Sequence, residues 1–221
     1  MSVLKILSGG AAHGLVDKVR GAFEKETGFT IDGSFGAVGG MKARLLEGEA
    51  ADVMILSRTL IDELVREGKV VKDTVTDVSR VTTAIAVRAG DPKPDVATRD
   101  ALRATLLAAD EIHFPDPAQS TAGIHFGRVL KELGVWSAAE TRLRPKPNGA
   151  EAMRALADSK AARPIGCTQE TEIRAIPGIV VAAPLPPGCD LVTTYTAAVT
   201  TVARAPNEAR RLIALAQEQG Q

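Results

Sequence analysis

Short apolar runs alternate along this chain with segments whose apolar residues recur every three or four positions, the pattern of strands separated by helices. Residues 3–7 form the first run, which ends at Ser8-Gly9-Gly10, and from about Ala11 onward Leu15, Val16, Val19 and Phe23 fall on one helical face. Residues 29–34 make the next strand, a helix follows over 40–47 with Met41 in its first turn, and 52–56 is the third strand. Residues 58–67 read as an amphipathic helix closed by Gly68, Val70-Val71 as a short edge element, and 81–87, rich in Thr, Ala and Val, as a long strand.

The alternation resumes after a loop marked by Gly90, Pro92 and Pro94. It gives a helix over 99–107, a strand over 111–114, and a helix carrying Ile124, Phe126, Val129, Leu130 and Leu133 that ends at Gly134, with Trp136 packed behind it. A further helix begins at Asn148 as N-cap and buries Met153, Leu156 and Ala157. Ile165-Gly166 is a short strand leading through Cys167-Thr168-Gln169-Glu170 into another helix, and 179–182 is a strand. Residues 191–202 are a second long β-rich run, and a helix from Pro206 closes the chain with Ala209, Leu212, Ile213 and Leu215 on its apolar side.

Strands separated by helices imply α/β architecture with mostly parallel sheets and right-handed crossovers. Ligands of such sheets sit beyond the carboxyl ends of the strands. Two glycine turns stand there, Ser8-Gly9-Gly10-Ala11 and Gly36-Ala37-Val38-Gly39. Backbone can approach a ligand closely at glycine, and a helix start adds unpaired N–H groups and a partial positive charge, which together cradle an anion. Ser120-Thr121-Ala122, Asn148-Gly149 and Thr168-Gln169 mark further helix starts with polar side chains.

Composition narrows the function. Lys plus Arg and Asp plus Glu both number 27, so no polyanion or membrane surface is implied as partner. Aromatic residues make up only 3% and no basic run occurs, which disfavours nucleic acid. No apolar stretch is long enough to cross a bilayer. Met1-Ser2 leads straight into the first strand, so as written the chain is expected in the cytoplasm; an exported, periplasmic form would carry a leader ahead of it.

The run Ser34-Phe35-Gly36, the Leu45-Leu46-Glu47-Gly48 helix end, and Ala51-Asp52-Val53-Met54-Ile55 with Ser57 resemble the molybdate-binding proteins of ABC importers. Asp116-Pro117, Ala122-Gly123-Ile124 and Gly134-Val135-Trp136 extend the resemblance over nearly the whole chain, as does Phe23 to Gly28 at the end of the first helix. It implies a two-lobed type II periplasmic binding protein fold, each lobe a mixed, mostly parallel sheet flanked by helices. The lobes would be 1–81 plus 196–221 and 82–195, with two crossing strands as hinge and a ligand cleft between them. The implied partners are a small anionic ligand and, if the protein is exported, an ABC permease; no cofactor is implied.

In that family two serine hydroxyls, backbone amides and a tyrosine hydroxyl hold the oxyanion. Here Ala11 stands where the first serine belongs, Val38 or Gly39 where the second belongs, and Gln169 in place of the tyrosine; Ser8 falls three residues early. The missing hydroxyls and the room left by glycine favour a small organic acid over molybdate. Arg80 offers either a bidentate carboxylate clamp or a solvated strand-end charge, and Thr82, Thr83, Ser120, Thr121, Thr168 and Gln169 offer hydroxyl and amide groups.

Three histidines and two cysteines complete the candidate chemistry. Their spacing matches no metal motif, and Cys167 and Cys189 are expected to be reduced. Cys167 is either a small buried hydrophobe or a thiol activated by helix N–H groups; with His13 and Glu170 it would support proton transfer on a bound acid. Two readings therefore stand: a receptor that binds a small organic anion, and an isomerase, tautomerase or ligand sensor for a small carboxylate built on the same fold.

Overall fold

The computed structural model describes residues 2–220. The chain runs through β1 (Ser2–Gly9), a 3-10 turn (Gly10–Ala12), α1 (His13–Thr27), β2 (Phe29–Gly36), α2 (Val38–Leu46), β3 (Val53–Ser57), α3 (Arg58–Arg66) and β4 (Thr76–Arg88). It continues with α4 (Arg99–Ala108), β5 (Glu111–Pro115), α5 (Thr121–Glu132), α6 (Val135–Ala138), β6 (Leu143–Lys146), α7 (Gly149–Asp158), β7 (Pro164–Gln169), α8 (Glu170–Arg174) and β8 (Ile179–Pro184). Last come β9 (Val192–Val199) and α9 (Pro206–Gly220). Residues up to Arg80 together with those from Thr193 onward form one compact unit, and Val81–Val192 form a second; β4 and β9 each contribute to both.

In the first unit the strands lie in the order β2-β1-β3-β9. β1 pairs in parallel with both β2 and β3, whereas β9 runs antiparallel to β3. Every residue of β3 is buried, as expected of a strand covered on both faces. Helix α1 turns Val16, Val19 and Phe23 inward, the stripe its sequence marks, and packs against α9. It stops at Gly28, whose φ of 73° few other residues tolerate and whose N–H closes on the Glu24 carbonyl. Buried Asp52 ties three segments together by accepting from the backbone N–H groups of Lys5 (2.8 Å), Arg204 (2.7 Å) and Ala205 (3.0 Å).

In the second unit the order is β4-β7-β5-β6, with β8 also on β4. β5 is parallel to β6 and β7, and β4 is antiparallel to β7 and β8. Alternation along the strands divides the apolar residues between two layers. Ile85, Phe114 and Cys167 meet Phe126 and Leu130 on one side, while Ala84 and Ala86 meet Met153, Leu156 and Ile173 on the other. Trp136 packs edge-on against Phe114, ring centroids 6.2 Å apart. Each unit is thus a mixed sheet flanked by helices, the architecture the family resemblance implies.

Several boundaries differ from the sequence reading. Gly39 and Gly40 lie in the first turn of α2, where flanking contacts outweigh glycine's low helix propensity. β4 begins at Thr76, because its first half alternates buried and exposed positions too weakly to register as a strand. β9 ends at Val199, with Thr200 and Thr201 beyond it, and Val70 makes only an isolated bridge, to Thr200. β6 was not anticipated: Leu-Arg-Pro-Lys carries no strand pattern of its own and is extended through its pairing with β5. No helix among the described residues is long and apolar enough to cross a membrane.

Candidate functional site

In the first unit the parallel strands β1, β2 and β3 end at Gly9, Gly36 and Ser57, so the starts of the 3-10 turn, α2 and α3 share one sheet edge. The N-cap residues Gly9, Ala37 and Ser57 make no side-chain cap bond, which leaves first-turn N–H groups without a side-chain acceptor. The edge therefore carries backbone donors, those of Val38 and Gly39 at the start of α2 among them. Glycine at position 9 is sterically required: a Cβ there would lie 2.8 Å from both Tyr195 Cε1 and Val38 Cγ1. The antiparallel partner β9 brings Tyr195 opposite Ser57, placing the chain's single tyrosine, which the sequence reading passed over, at this edge.

Side chains of this unit sort themselves plainly. Ser8 is fully buried and its hydroxyl donates to the Gly9 carbonyl at 3.0 Å, so it is not a ligand donor in this state. Ala11 and Val38 are buried apolar residues. His13, half-exposed in the first turn of α1, stacks on Phe35 with ring centroids 4.0 Å apart, and its Nε2 lies 3.3 Å from Asp17 Oδ2. Arg80 is exposed, three residues before Thr83 on β4, with no ion pair to another described residue.

In the second unit β5, β6 and β7 end at Pro115, Lys146 and Gln169, again on one edge, ahead of α5, α7 and α8. Two candidates there serve their own helices. Ser120 Oγ accepts from the Gly123 N–H at 3.4 Å, and Asn148 Oδ1 from the Glu151 N–H at 2.9 Å. Ala122 is buried and Thr121 half-buried beside them. Thr83 and Gln169 face each other across β4 and β7, both buried, and the Thr83 hydroxyl has no partner among the described residues.

The residue missed at this edge is Glu172. Thr168 Oγ1 donates to its Oε2 at 2.6 Å, and the Gln169 backbone N–H also bonds its carboxyl. Burial nevertheless dominates and pushes the Glu172 carboxyl up to about 7. The carboxyl lies over Gly149, where a Cβ would come 2.0 Å from Oε2 and 2.5 Å from Thr168 Oγ1. Its sequence signal is the spacing Gln169-x-x-Glu172, in which the third helical residue reaches back to the N-cap N–H. Glu170, singled out instead, pairs with Arg174 at 2.9 Å.

Of the two readings of Cys167, the structure supports the small buried hydrophobe. Its position in the strand turns it away from Thr168 into the apolar layer of Phe114 and Phe126, and burial pushes the thiol well above its ordinary range. It is a core residue, and Cys167 and Cys189 are both free thiols. His113 is buried in β5 beside Glu111 (3.1 Å), with burial holding its pKa down, and His125 Nε2 lies 2.7 Å from the Cys189 carbonyl oxygen. Among the described residues no group of three or more His, Cys, Asp or Glu is placed to hold a metal ion. A cavity of about 310 Å³ opens beside Pro164, at the opposite end of β7 from Gln169; its walls are mainly apolar, and Arg163 on its rim is paired with Asp110.

Comparison with known proteins adds a second line of observation. A profile described as bacterial extracellular solute-binding protein matches residues 4–221. An aconitate isomerase from a Pseudomonas species is 32% identical over 222 residues, covering 96% of this chain and 81% of that protein. Among solved structures, the periplasmic molybdate-binding protein of Azotobacter vinelandii aligns with a TM-score of 0.78 at 19% identity, over 97% of this chain and 92% of its own. The sulfate-binding protein of Mycobacterium tuberculosis gives 0.78 at 19%, over 98% and 82%.

Proposed function

This chain belongs to the bacterial extracellular solute-binding protein family, and from that premise we propose that it binds a small polycarboxylate of aconitate's kind and isomerises it by moving a proton between carbons. The observation that carries this reading is the 32% identity to an aconitate isomerase along nearly the whole chain. The local chemistry supports it. The edge of the first unit offers backbone N–H groups where an oxyanion receptor of the molybdate type offers serine hydroxyls.

Isomerising an unsaturated acid by proton shift needs a base that takes a proton from a carbon conjugated to the acid. The electron pair then delocalises toward a carboxylate, and the proton returns at a different carbon, so no oxidant or cofactor is consumed. His13 fits the proton carrier. Asp17 engages Nε2 and Phe35 fixes the ring plane, leaving Nδ1 to exchange the proton. First-turn N–H groups of α2 and α3, which have no side-chain cap, favour the added negative charge on the carboxylate oxygens.

A second reading, favoured by the family and by neighbours named as binding proteins, is a receptor that holds the acid unchanged and hands it to an ABC permease. Proton NMR of aconitate with the protein in deuterated water separates the two. Interconversion of isomers with deuterium at carbon is the expected result; binding without exchange leaves the receptor, and absence of both binding and exchange overturns the proposal. His13→Ala is expected to retain binding and lose at least about a hundredfold in turnover.

A further inference from the structure

We propose that the Glu172 carboxyl is a ligand-binding group of the second unit, one that takes up a proton as a carboxylate anion binds and presents that proton to the anion as a hydrogen bond. This rests on the reading that the protein holds a small polycarboxylate. Three features of the geometry point there. Glu172 stands at the sheet edge where β7 ends, its carboxyl occupies the space that Gly149 leaves open, and Thr168 Oγ1 lies on it at 2.6 Å. No Lys, Arg or His among the described residues forms an ion pair with it.

A carboxylate without a cation beside it would repel an incoming anion, whereas the same group as an acid donates to one. The surrounding charges do not alter that choice. On α8, Glu170 and Arg174 pair with each other. On α7, Glu151 is bonded to Asn148 at 2.9 Å, and Arg154 and Asp158 are exposed. β7 and β8 carry no ionisable side chain except Cys167, on the opposite face of β7. The acid form is within reach in neutral water because burial holds the group's titration near 7. Glu172 is 7% exposed, buried enough to shed its charge while lying at the edge.

The test is calorimetric titration of the wild-type protein with aconitate between about pH 7 and 9, in two buffers of different ionisation enthalpy. Expected are uptake of about one proton per ligand at the alkaline end and affinity falling about tenfold per pH unit. Glu172→Gln, which donates permanently, is expected to bind with no such slope and no uptake. Thr168→Val removes a hydrogen bond that favours the ionised form, so the break in the wild-type profile is expected to move to higher pH; this variant keeps the test open if the glutamine variant does not fold. Aconitate binding without proton uptake, or a slope that persists in Glu172→Gln, overturns this inference alone. Failure of the wild type to bind aconitate at any pH overturns the proposed function and this inference with it.

Discussion

The carboxyl of Glu172 fills the place a side chain on residue 149 would take: a Cβ built on Gly149 would lie 2.0 Å from Oε2. The starts of α7 and α8 are thereby locked to one buried acid, and the residue at 149 has no freedom to be larger. Gly149→Ala must displace the carboxyl or shift the first turn of α7. A loss of about 1–3 kcal/mol in urea denaturation is expected, and an unchanged midpoint would show that the carboxyl is not held where we place it.

Glu172 also gives stability a pH dependence of known sign. Its carboxyl is raised from an ordinary 4.5 to about 7 in the folded protein. Unfolded chains therefore release this proton first as pH rises, and the contribution present below about 4.5 is lost progressively up to about 7. The full loss is of order 3 kcal/mol. Denaturation of wild type and Glu172→Gln at several pH values isolates it, since the wild type should lose stability relative to the non-titrating glutamine variant as pH rises through that window; a constant difference contradicts the shift.

Asp52 holds the first unit together across the sequence. One buried carboxylate accepts from the backbone of Lys5, Arg204 and Ala205, joining the first strand to the approach to α9. Asp52→Ala leaves three donors short of an acceptor, at an expected cost of about 2–4 kcal/mol. Amide exchange at 204 and 205 should rise in parallel, and protection retained there would remove the residue from this role.

Thr83 carries a fully buried hydroxyl with no partner among the described residues. Thr83→Val keeps the shape and deletes the unpaired group, so the ligand-free protein is expected to gain about 1 kcal/mol. If the hydroxyl meets a ligand, aconitate affinity falls at the same time. A variant less stable than wild type without ligand would mean that the hydroxyl is satisfied in solution.

Where the chain signals its structure locally, reading and structure agree. Val16, Val19 and Phe23 are the buried stripe of α1, and Met153 and Leu156 that of α7, because helical spacing places those residues on one side wherever the helix packs. Leu143 to Lys146 is a strand only because β5 offers it hydrogen bonds. Cys167 reads locally as a turn residue near helix N–H groups, yet the strand runs on to Gln169 and alternation turns the thiol inward. Asn148 was legible as a cap and Ser120 as a polar helix start, and capping is what both side chains do.

The sequence by itself determined the alternation of strands and helices, the glycine turns and the helix starts, since each depends on residues within a few positions of one another. Tertiary structure alone decided what those turns face. Tyr195 reaches Gly9 across 186 positions through the pairing of β9 with β3, and Glu172 meets Gly149 only once two helices pack, so that burial, a property of neighbours distant in sequence, sets the charge of its carboxyl.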